Sequence, residues 1–183
     1  MIDNYCPACG DDQFNSSNGN RYDCRSCGHT LFMNCAGTVG AVIRCGNEIL
    51  LTLRAHEPAT GKLDLPGGFV DPDETFEQAL ARELLEELNL SIEQPRYLFS
   101  ACNTYLYQGV HYKTVDAIFE LCYEQKPSVE ANDDVAAIRW LQLAEINDED
   151  IAFVSVQSVI DRLKAAASSG PTASHENHRD SRG

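Results

Sequence analysis

Three glutamates crowd into little more than one turn of a segment with helical periodicity. Glu83 and Glu87 fall on one line of such a helix, and Glu86 lies beside them. Like charges at this spacing repel and weaken a helix unless a cation lies among them. Carboxylate oxygens are the ligands that hard divalent cations prefer, so the cluster suggests a metal site. On the glutamates alone, however, an ordinary solvated helix face explains the pattern better.

A second group of ligand-type residues lies near the start of the chain. Cys6 with Cys9, and Cys24 with Cys27, form two CxxC pairs that are separated by fourteen residues. This spacing can close a tetrahedral site, and the polar stretch between the pairs is too poor in apolar residues to fold without a metal. We predict structural zinc; a rubredoxin-type iron site, a redox pair and coincidence are the alternatives.

The remaining cysteines lie in or beside apolar strands, where we expect small buried core residues. They are Cys35, Cys45, Cys102 and Cys122. Eight cysteines in a chain that does not open with an export signal predict a reducing compartment, the cytoplasm.

Composition excludes several classes of protein. The net charge of −14 and the pI near 4.6 argue against a protein that binds nucleic acid through a basic face. The apolar runs are too short to span a bilayer. A small polyanionic ligand remains compatible with the charge if metal ions mediate its binding.

The glutamates need a helix with defined ends. Thr75 precedes Gln78 by three positions, the spacing of a capping box, and Asn89 suits a helix stop because asparagine tolerates positive φ. We therefore predict a helix that starts near Thr75 and ends near Leu88. Its apolar stripe is Phe76, Leu80, Leu84 and Leu88.

The chain divides into three parts. We predict a zinc ribbon over 1–34, a larger domain of strands and helices over 36–164 and a disordered tail over 165–183. Within 36–164, apolar β-rich segments flank turns at Gly46-Asn47 and Gln108-Gly109, and VSVQSVIDRLKAAA forms an amphipathic helix. Mixed strands with a few helices indicate an α/β sandwich around a mixed sheet.

The glutamate helix and its approach resemble the Nudix box of the Nudix hydrolases, G-x5-E-x7-R-E-U-x-E-E-x-G-U with U apolar. The one departure is Asn89, which stands where the family has glycine and keeps the left-handed helix stop. The resemblance implies the Nudix α/β/α sandwich, and a cysteine ribbon before the box is similar to that of NADH pyrophosphatase-like members. The matching residues are Gly68, Glu74, Arg82, Glu83, Leu84, Glu86, Glu87 and Leu90.

The resemblance also implies a reaction. Nudix hydrolases cleave the pyrophosphate bond of a nucleoside diphosphate linked to another moiety, with Mg²⁺ or Mn²⁺. By position in the box, Glu83, Glu86 and Glu87 would bind the metal and Arg82 would orient them. Gly67 and Gly68 would let the backbone approach the substrate closely.

Two residues outside the box complete the predicted site. Arg54 ends a strand where family members often contact substrate phosphate, with a solvated strand-end charge as the alternative. Asp134 precedes the strand of Trp140 and falls where NADH pyrophosphatases have a distal glutamate that serves as a metal ligand or a base. For Asp134 the alternative is an acidic surface loop.

The substrate remains open among ADP-ribose, a nucleotide sugar, a dinucleotide cofactor or a similar small nucleotide. The SQPWPFPxS motif of NADH pyrophosphatases is missing, since the corresponding stretch reads SACNTYLYQGVHY. An NADH or NAD pyrophosphatase is therefore an alternative, as is a non-catalytic Nudix sensor or regulator. A homodimer is compatible with the sequence.

Overall fold

The computed structural model describes residues 5–16 and 19–168. The first part of the chain forms a small antiparallel sheet in which β2 lies between β1 and β3. Its core is built from Cys6, Phe14 and Cys24, with Tyr22 and Leu31 packed against them. The strands are β1 Phe14–Ser16, β2 Arg21–Cys24 and β3 Thr30–Phe32.

The larger part is built on a six-stranded mixed sheet. Its strands are β4 Ala36–Cys45, β5 Glu48–Arg54, β6 Leu63–Asp64, β7 Arg96–Tyr107, β8 Val110–Tyr123 and β9 Val135–Gln142. The order is β6-β5-β4-β8-β7, with β9 paired to β5. The β4–β8 pairing is parallel, and the other described pairings are antiparallel. Turns at Gly46 and at Gln108-Gly109 use positive φ, as the sequence suggested.

A helix covers each face of this sheet. They are α1 Phe76–Leu88 and α2 Val154–Ser168. Alternate residues of β4 point to opposite faces: Ile43 packs in the core cluster that contains Leu84 of α1, and Val42 packs in the cluster that contains Val159 of α2. The α/β/α sandwich is therefore confirmed. Neither described helix has the length and hydropathy that a membrane span requires.

The ends of α1 follow its sequence. Thr75 Oγ1 accepts a hydrogen bond from the Gln78 N–H, the Gln78 side chain accepts one from the Thr75 N–H, and Asn89 adopts φ 51°. The predicted capping box and left-handed stop are confirmed. Phe76 is the exception in the predicted apolar stripe, because it lies at the first turn and stays 42% exposed.

Two expectations about buried or disordered segments need correction. Cys35, Cys102 and Cys122 are exposed and Cys45 is only half-buried, so these cysteines do not lie in the core. Neighbouring residues of a strand point to opposite faces of the sheet, so Cys122 is exposed while Leu121 beside it is buried. Helix α2 continues to Ser168 and thus includes the first residues of the predicted tail. The rest of that tail, 169–183, lies outside the described residues.

Candidate active site

One cavity of about 250 Å³ brings together most of the predicted site residues. They come from the end of β5, the loop after β6, helix α1 and the loop before β9. Arg82 and Glu86 do not line this cavity. The predicted residues that do are Arg54, Gly67, Gly68, Glu83, Glu87 and Asp134.

Glu87 is the most strongly perturbed carboxylate in the cavity. Burial is the main cause that raises its pKa from an ordinary value near 4.5 to about 8. The charges of Glu83, Asp64 and Asp134 act in the same direction, while a hydrogen bond from the Gly67 N–H opposes them. Several carboxylates thus face one space without enough positive charge among them, and a divalent cation would neutralise that repulsion.

Gly67, just before the box, and Gly68, its first residue, both lie in close contacts. Gly67 has φ +139°, and a Cβ at this position would lie 2.2 Å from the carbonyl oxygen of Val39. A Cβ at Gly68 would lie 2.5 Å from Oε1 of Glu83. Gly67 is therefore required, because the backbone of β4 cannot move aside, whereas a Cβ at Gly68 would displace the carboxylate of Glu83.

Arg82 ties α1 to the loop in front of it. Its guanidinium donates to both carboxylate oxygens of Glu74 at 2.8 and 2.9 Å and to the carbonyl oxygen of Phe69 at 2.9 Å. It also donates to Glu83 at 2.8 Å and to Glu86 at 3.3 Å. The bonds to Glu74, followed by those to Glu83, raise the pKa of Arg82. This places the arginine between the glutamates rather than in the cavity.

Glu86 differs from the other two glutamates. Its side chain is 51% exposed and pairs with Arg82 at the edge of the site. In the described residues, 5–16 and 19–168, the carboxylate oxygens of Glu83, Glu86 and Glu87 do not form a group whose members all lie within 4.8 Å of one another. The structure therefore brings Glu83 and Glu87 into the cavity and leaves Glu86 beside it.

Arg54 is held at the cavity wall by an aspartate that the sequence analysis missed. Its Nη1 donates to Asp64 Oδ2 at 2.9 Å, and its Nε donates to the carbonyl oxygen of Pro58 at 2.7 Å. The guanidinium also lies 5.0 Å from the ring centroid of Phe153. Burial raises the pKa of Asp64 to about 6, although the charge of Arg54 opposes this. The sequence did contain a sign that Asp64 could be a site residue, because it is the lone charge in the apolar segment LDLP that precedes Gly67.

Asp116 is a second cavity residue that the sequence analysis missed. It stands alone as a charge in the strand segment VDAIF, and its carboxylate accepts hydrogen bonds from Thr38 and Thr114. The predicted distal acid, Asp134, lies at the cavity with 68% of its side chain exposed. Its Oδ1 is 3.7 Å from Nε2 of His56.

The four N-terminal cysteines form a separate candidate metal site. Their sulfur atoms all lie within 4.8 Å of one another, and two cross-pair Sγ–Sγ distances, Cys6 to Cys27 and Cys9 to Cys24, are both 3.7 Å. Zn–S bonds of about 2.3 Å would place the sulfurs of a tetrahedron about 3.8 Å apart.

Comparison with known proteins gives three findings. The family model of the NUDIX domain matches residues 36–161. The NAD-capped RNA hydrolase NudC of Haemophilus influenzae is 34% identical over 98 residues, which are 52% of this chain and 37% of that protein. The ADP-ribose pyrophosphatase of Methanocaldococcus jannaschii is 42% identical over 62 residues, 34% of this chain and 37% of that protein. The matched part is thus little more than a third of each of these two relatives.

Among solved structures, a NUDIX hydrolase from Nitrosomonas europaea superposes with a TM-score of 0.67 at 26% identity. The alignment covers 91% of this chain and 93% of that one.

Proposed function

Because the chain belongs to the NUDIX domain family, we propose that it hydrolyses the pyrophosphate bond of a nucleoside diphosphate linked to a second moiety. One observation carries this proposal: Glu83 and Glu87 line the same cavity as Arg54 and the Gly67–Gly68 loop. Carboxylates and an anionic pyrophosphate repel each other, so the site requires divalent cations, Mg²⁺ or Mn²⁺.

Each residue then has a distinct task. Glu83 and Glu87, which line the cavity, would hold the cation, and Glu86 at its edge would be the third carboxylate. Arg82 positions Glu83 and Glu86 through its hydrogen bonds. A bound cation supplies Lewis acidity at the pyrophosphate and lowers the pKa of water. The contacts of Arg54 with Asp64 and Pro58 use only part of its donors, and the remaining donors can bind a phosphate oxygen.

The substrates that we propose are small nucleotides such as ADP-ribose, a nucleotide sugar or a dinucleotide cofactor. The similarity to an ADP-ribose pyrophosphatase supports the first of these. The similarity to the NudC protein favours, as a second candidate, an NAD-type linkage, even though the motif of NADH pyrophosphatases is missing.

We further propose one structural Zn²⁺ bound by Cys6, Cys9, Cys24 and Cys27. The sulfur separations and the glycine-ended turns support this site: Gly10 and Gly28, which follow the two pairs, have φ 75° and 76°. We also propose a reducing compartment such as the cytoplasm, because four of the eight cysteines are grouped as metal ligands, a use typical of proteins that stay reduced.

A substrate panel tests the activity. The full chain is incubated with Mg²⁺ and individual nucleoside diphosphate compounds, and the product masses are measured by mass spectrometry. We expect a nucleotide and a phosphorylated second moiety from at least one compound.

Glu87→Gln should lower kcat by orders of magnitude while keeping the fold. Glu77→Gln, a change at an exposed position in the first turn of the same helix, should keep parental rates. If ligands bind without turnover, the protein is a sensor and not an enzyme.

A further inference from the structure

The side of the cavity formed by β4 and β8 carries polar groups that the hydrolysis itself does not use. Thr38 and Thr114 both donate their hydroxyl protons to Oδ1 of Asp116, the latter at 2.7 Å. The other oxygen, Oδ2, has no hydrogen-bond partner among the residues that the structure describes. Two hydroxyls therefore fix the carboxylate in one orientation and leave one strong acceptor available.

Ser155 provides a second, independent observation. This residue lies in the first turn of α2, lines the same cavity and is only 2% exposed. Within the described part of the chain, its Oγ has no hydrogen-bond partner. Buried hydroxyls are normally satisfied, so an unpaired one that shares a cavity with an unpaired carboxylate oxygen points to a polar ligand in that cavity.

Charge decides which end of a substrate fits here. Asp64 and Asp116 both line this cavity, and the charge of Asp116 adds to burial, the main cause, in raising the pKa of Asp64. The negative charge of Asp116 therefore disfavours a phosphate at its own free oxygen and leaves phosphate binding to Arg54. Asp64 itself is engaged by Arg54 at 2.9 Å and by the Leu65 N–H at 2.9 Å. Asp116 is thus the available acceptor, and it selects a neutral group that carries an N–H or O–H donor.

The walls and size agree with part of a nucleoside. Tyr105 and Phe153, whose ring centroids are 5.5 Å apart, line the cavity with Ile118. The volume of about 250 Å³ is near the lower limit of ligand pockets, which begin at about 300 Å³. The cavity would therefore enclose only part of a nucleoside diphosphate compound, and Glu83 and Glu87 line it together with Asp116.

We propose that Asp116 is a specificity-determining residue, whose Oδ2 accepts a hydrogen bond from an N–H or O–H donor at the non-phosphate end of the substrate. The donor is a base amino group or a ribose hydroxyl, and Ser155 is its polar neighbour. This inference rests on the proposed function, because it extends the same site from the reacting phosphates to the group that is recognised.

Asp116→Asn reverses one contact while keeping the shape. The two threonine hydroxyls hold the amide oxygen, so the amide NH₂ occupies the place of Oδ2 and meets the ligand donor to donor. Calorimetry with the full chain then measures the binding of GMP and AMP. We expect Asp116→Asn to bind at least one of these nucleotides about 10-fold or more weakly than the parent does. Asp161→Asn, on the exposed side of α2, is the matched control and should bind as the parent does.

Analogues identify the donor. Inosine monophosphate lacks the amino group of GMP, purine riboside monophosphate lacks that of AMP, and the 2′-deoxy and 3′-deoxy forms each lack one hydroxyl. The analogue without the contacting donor should bind parent and Asp116→Asn equally. Three results would overturn the inference. The variant could bind both GMP and AMP as tightly as the parent does, or its affinity could stay lower than that of the parent for every analogue. The parent could also bind neither nucleotide.

Ser155→Ala is a second variant that tests the same site if Asp116→Asn destabilises the fold and lowers its unfolding temperature. It removes an unpaired hydroxyl, so folding should be unharmed while nucleotide affinity falls several-fold; unchanged affinity would count against the inference. These measurements need no turnover. Asp116-dependent binding without hydrolysis would reject the proposed activity alone, and hydrolysis with Asp116-independent binding would reject the inference alone.

Discussion

The backbone N–H of Gly67 donates a 2.9 Å hydrogen bond to Oε2 of Glu87, twenty positions further along the chain. This bond joins the loop after β6 to the last turn of α1. The amide stabilises the ionised carboxylate, whereas burial favours the neutral form and dominates. The loop thus holds the carboxylate in place without supplying the charge that would balance it, which leaves that task to a cation.

Gly67→Ala should therefore damage both fold and activity. The new Cβ would meet the carbonyl oxygen of Val39 at 2.2 Å, and φ +139° is a conformation that alanine avoids. We expect a loss of more than about 3 kcal/mol in the free energy of unfolding. Chemical denaturation measures this loss.

Gly61→Ala is the matched control, since Gly61 also has positive φ, +77°, but no atom lies within 4 Å of its added Cβ. It should cost only about 1 kcal/mol. Equal losses in the two variants would show that backbone conformation alone matters and that the close approach to β4 does not.

The raised pKa of Glu87 predicts how the stability of the metal-free protein depends on pH. Between about pH 4.5 and 8 the folded state holds a proton on Glu87 that the unfolded state has released. The folded state binds more protons in this window, so its stability should fall as pH rises through it. Asp64 contributes in the same direction up to about pH 6, and Glu87 continues the fall above that pH. Thermal unfolding without added Mg²⁺ or Mn²⁺, and without a chelator that would also remove the zinc, measures this fall.

Glu87→Gln should remove the decline between pH 6 and 8. At pH 8 the variant should unfold at a higher temperature than the metal-free parent, since a stabilisation of about 1 kcal/mol raises Tm by about 2–4 °C in a domain of this size. The same substitution is expected to abolish activity, so stability and catalysis would change in opposite directions. A parent whose Tm is flat from pH 6 to 8 would contradict the assigned pKa.

Local patterns made α1 predictable, and long-range contacts made the rest of the site unpredictable. Thr75, Gln78 and Asn89 encode the helix ends within a few positions of each other. Asp116, in contrast, meets Thr38 from 78 positions away, and the parallel pairing of β8 with β4 that joins them leaves no mark in either segment. The wrong prediction that Cys122 is buried has the same origin. In an apolar strand, the sequence does not tell which face is buried until the neighbouring elements are known.

The zinc proposal predicts about one Zn²⁺ per chain by elemental analysis. Cys24→Ser should lose this zinc and unfold the ribbon, whose core consists of its own residues, among them Cys6 and Phe14. The NUDIX domain should stay folded, which hydrogen exchange of the two parts can show. Cys102→Ser, at an exposed position, is the control that should keep the zinc. Iron in place of zinc, or loss of the whole fold, would contradict the prediction of a separate zinc ribbon.

Asp134→Asn tests the predicted carboxylate outside the box. The Asp134 carbonyl oxygen accepts a 2.8 Å hydrogen bond from the Ala55 N–H, which fixes the loop, and its carboxylate raises the pKa of Glu87 through charge. If this carboxylate takes the proton of the attacking water, its loss should lower kcat about 100-fold or more with little change in KM. Asp133→Asn should be silent, since Asp133 has φ 49°, which asparagine also tolerates, and does not line the cavity. Steady-state kinetics with Mg²⁺ measure both variants, and equal rates for them would leave Asp134 as an acidic surface residue.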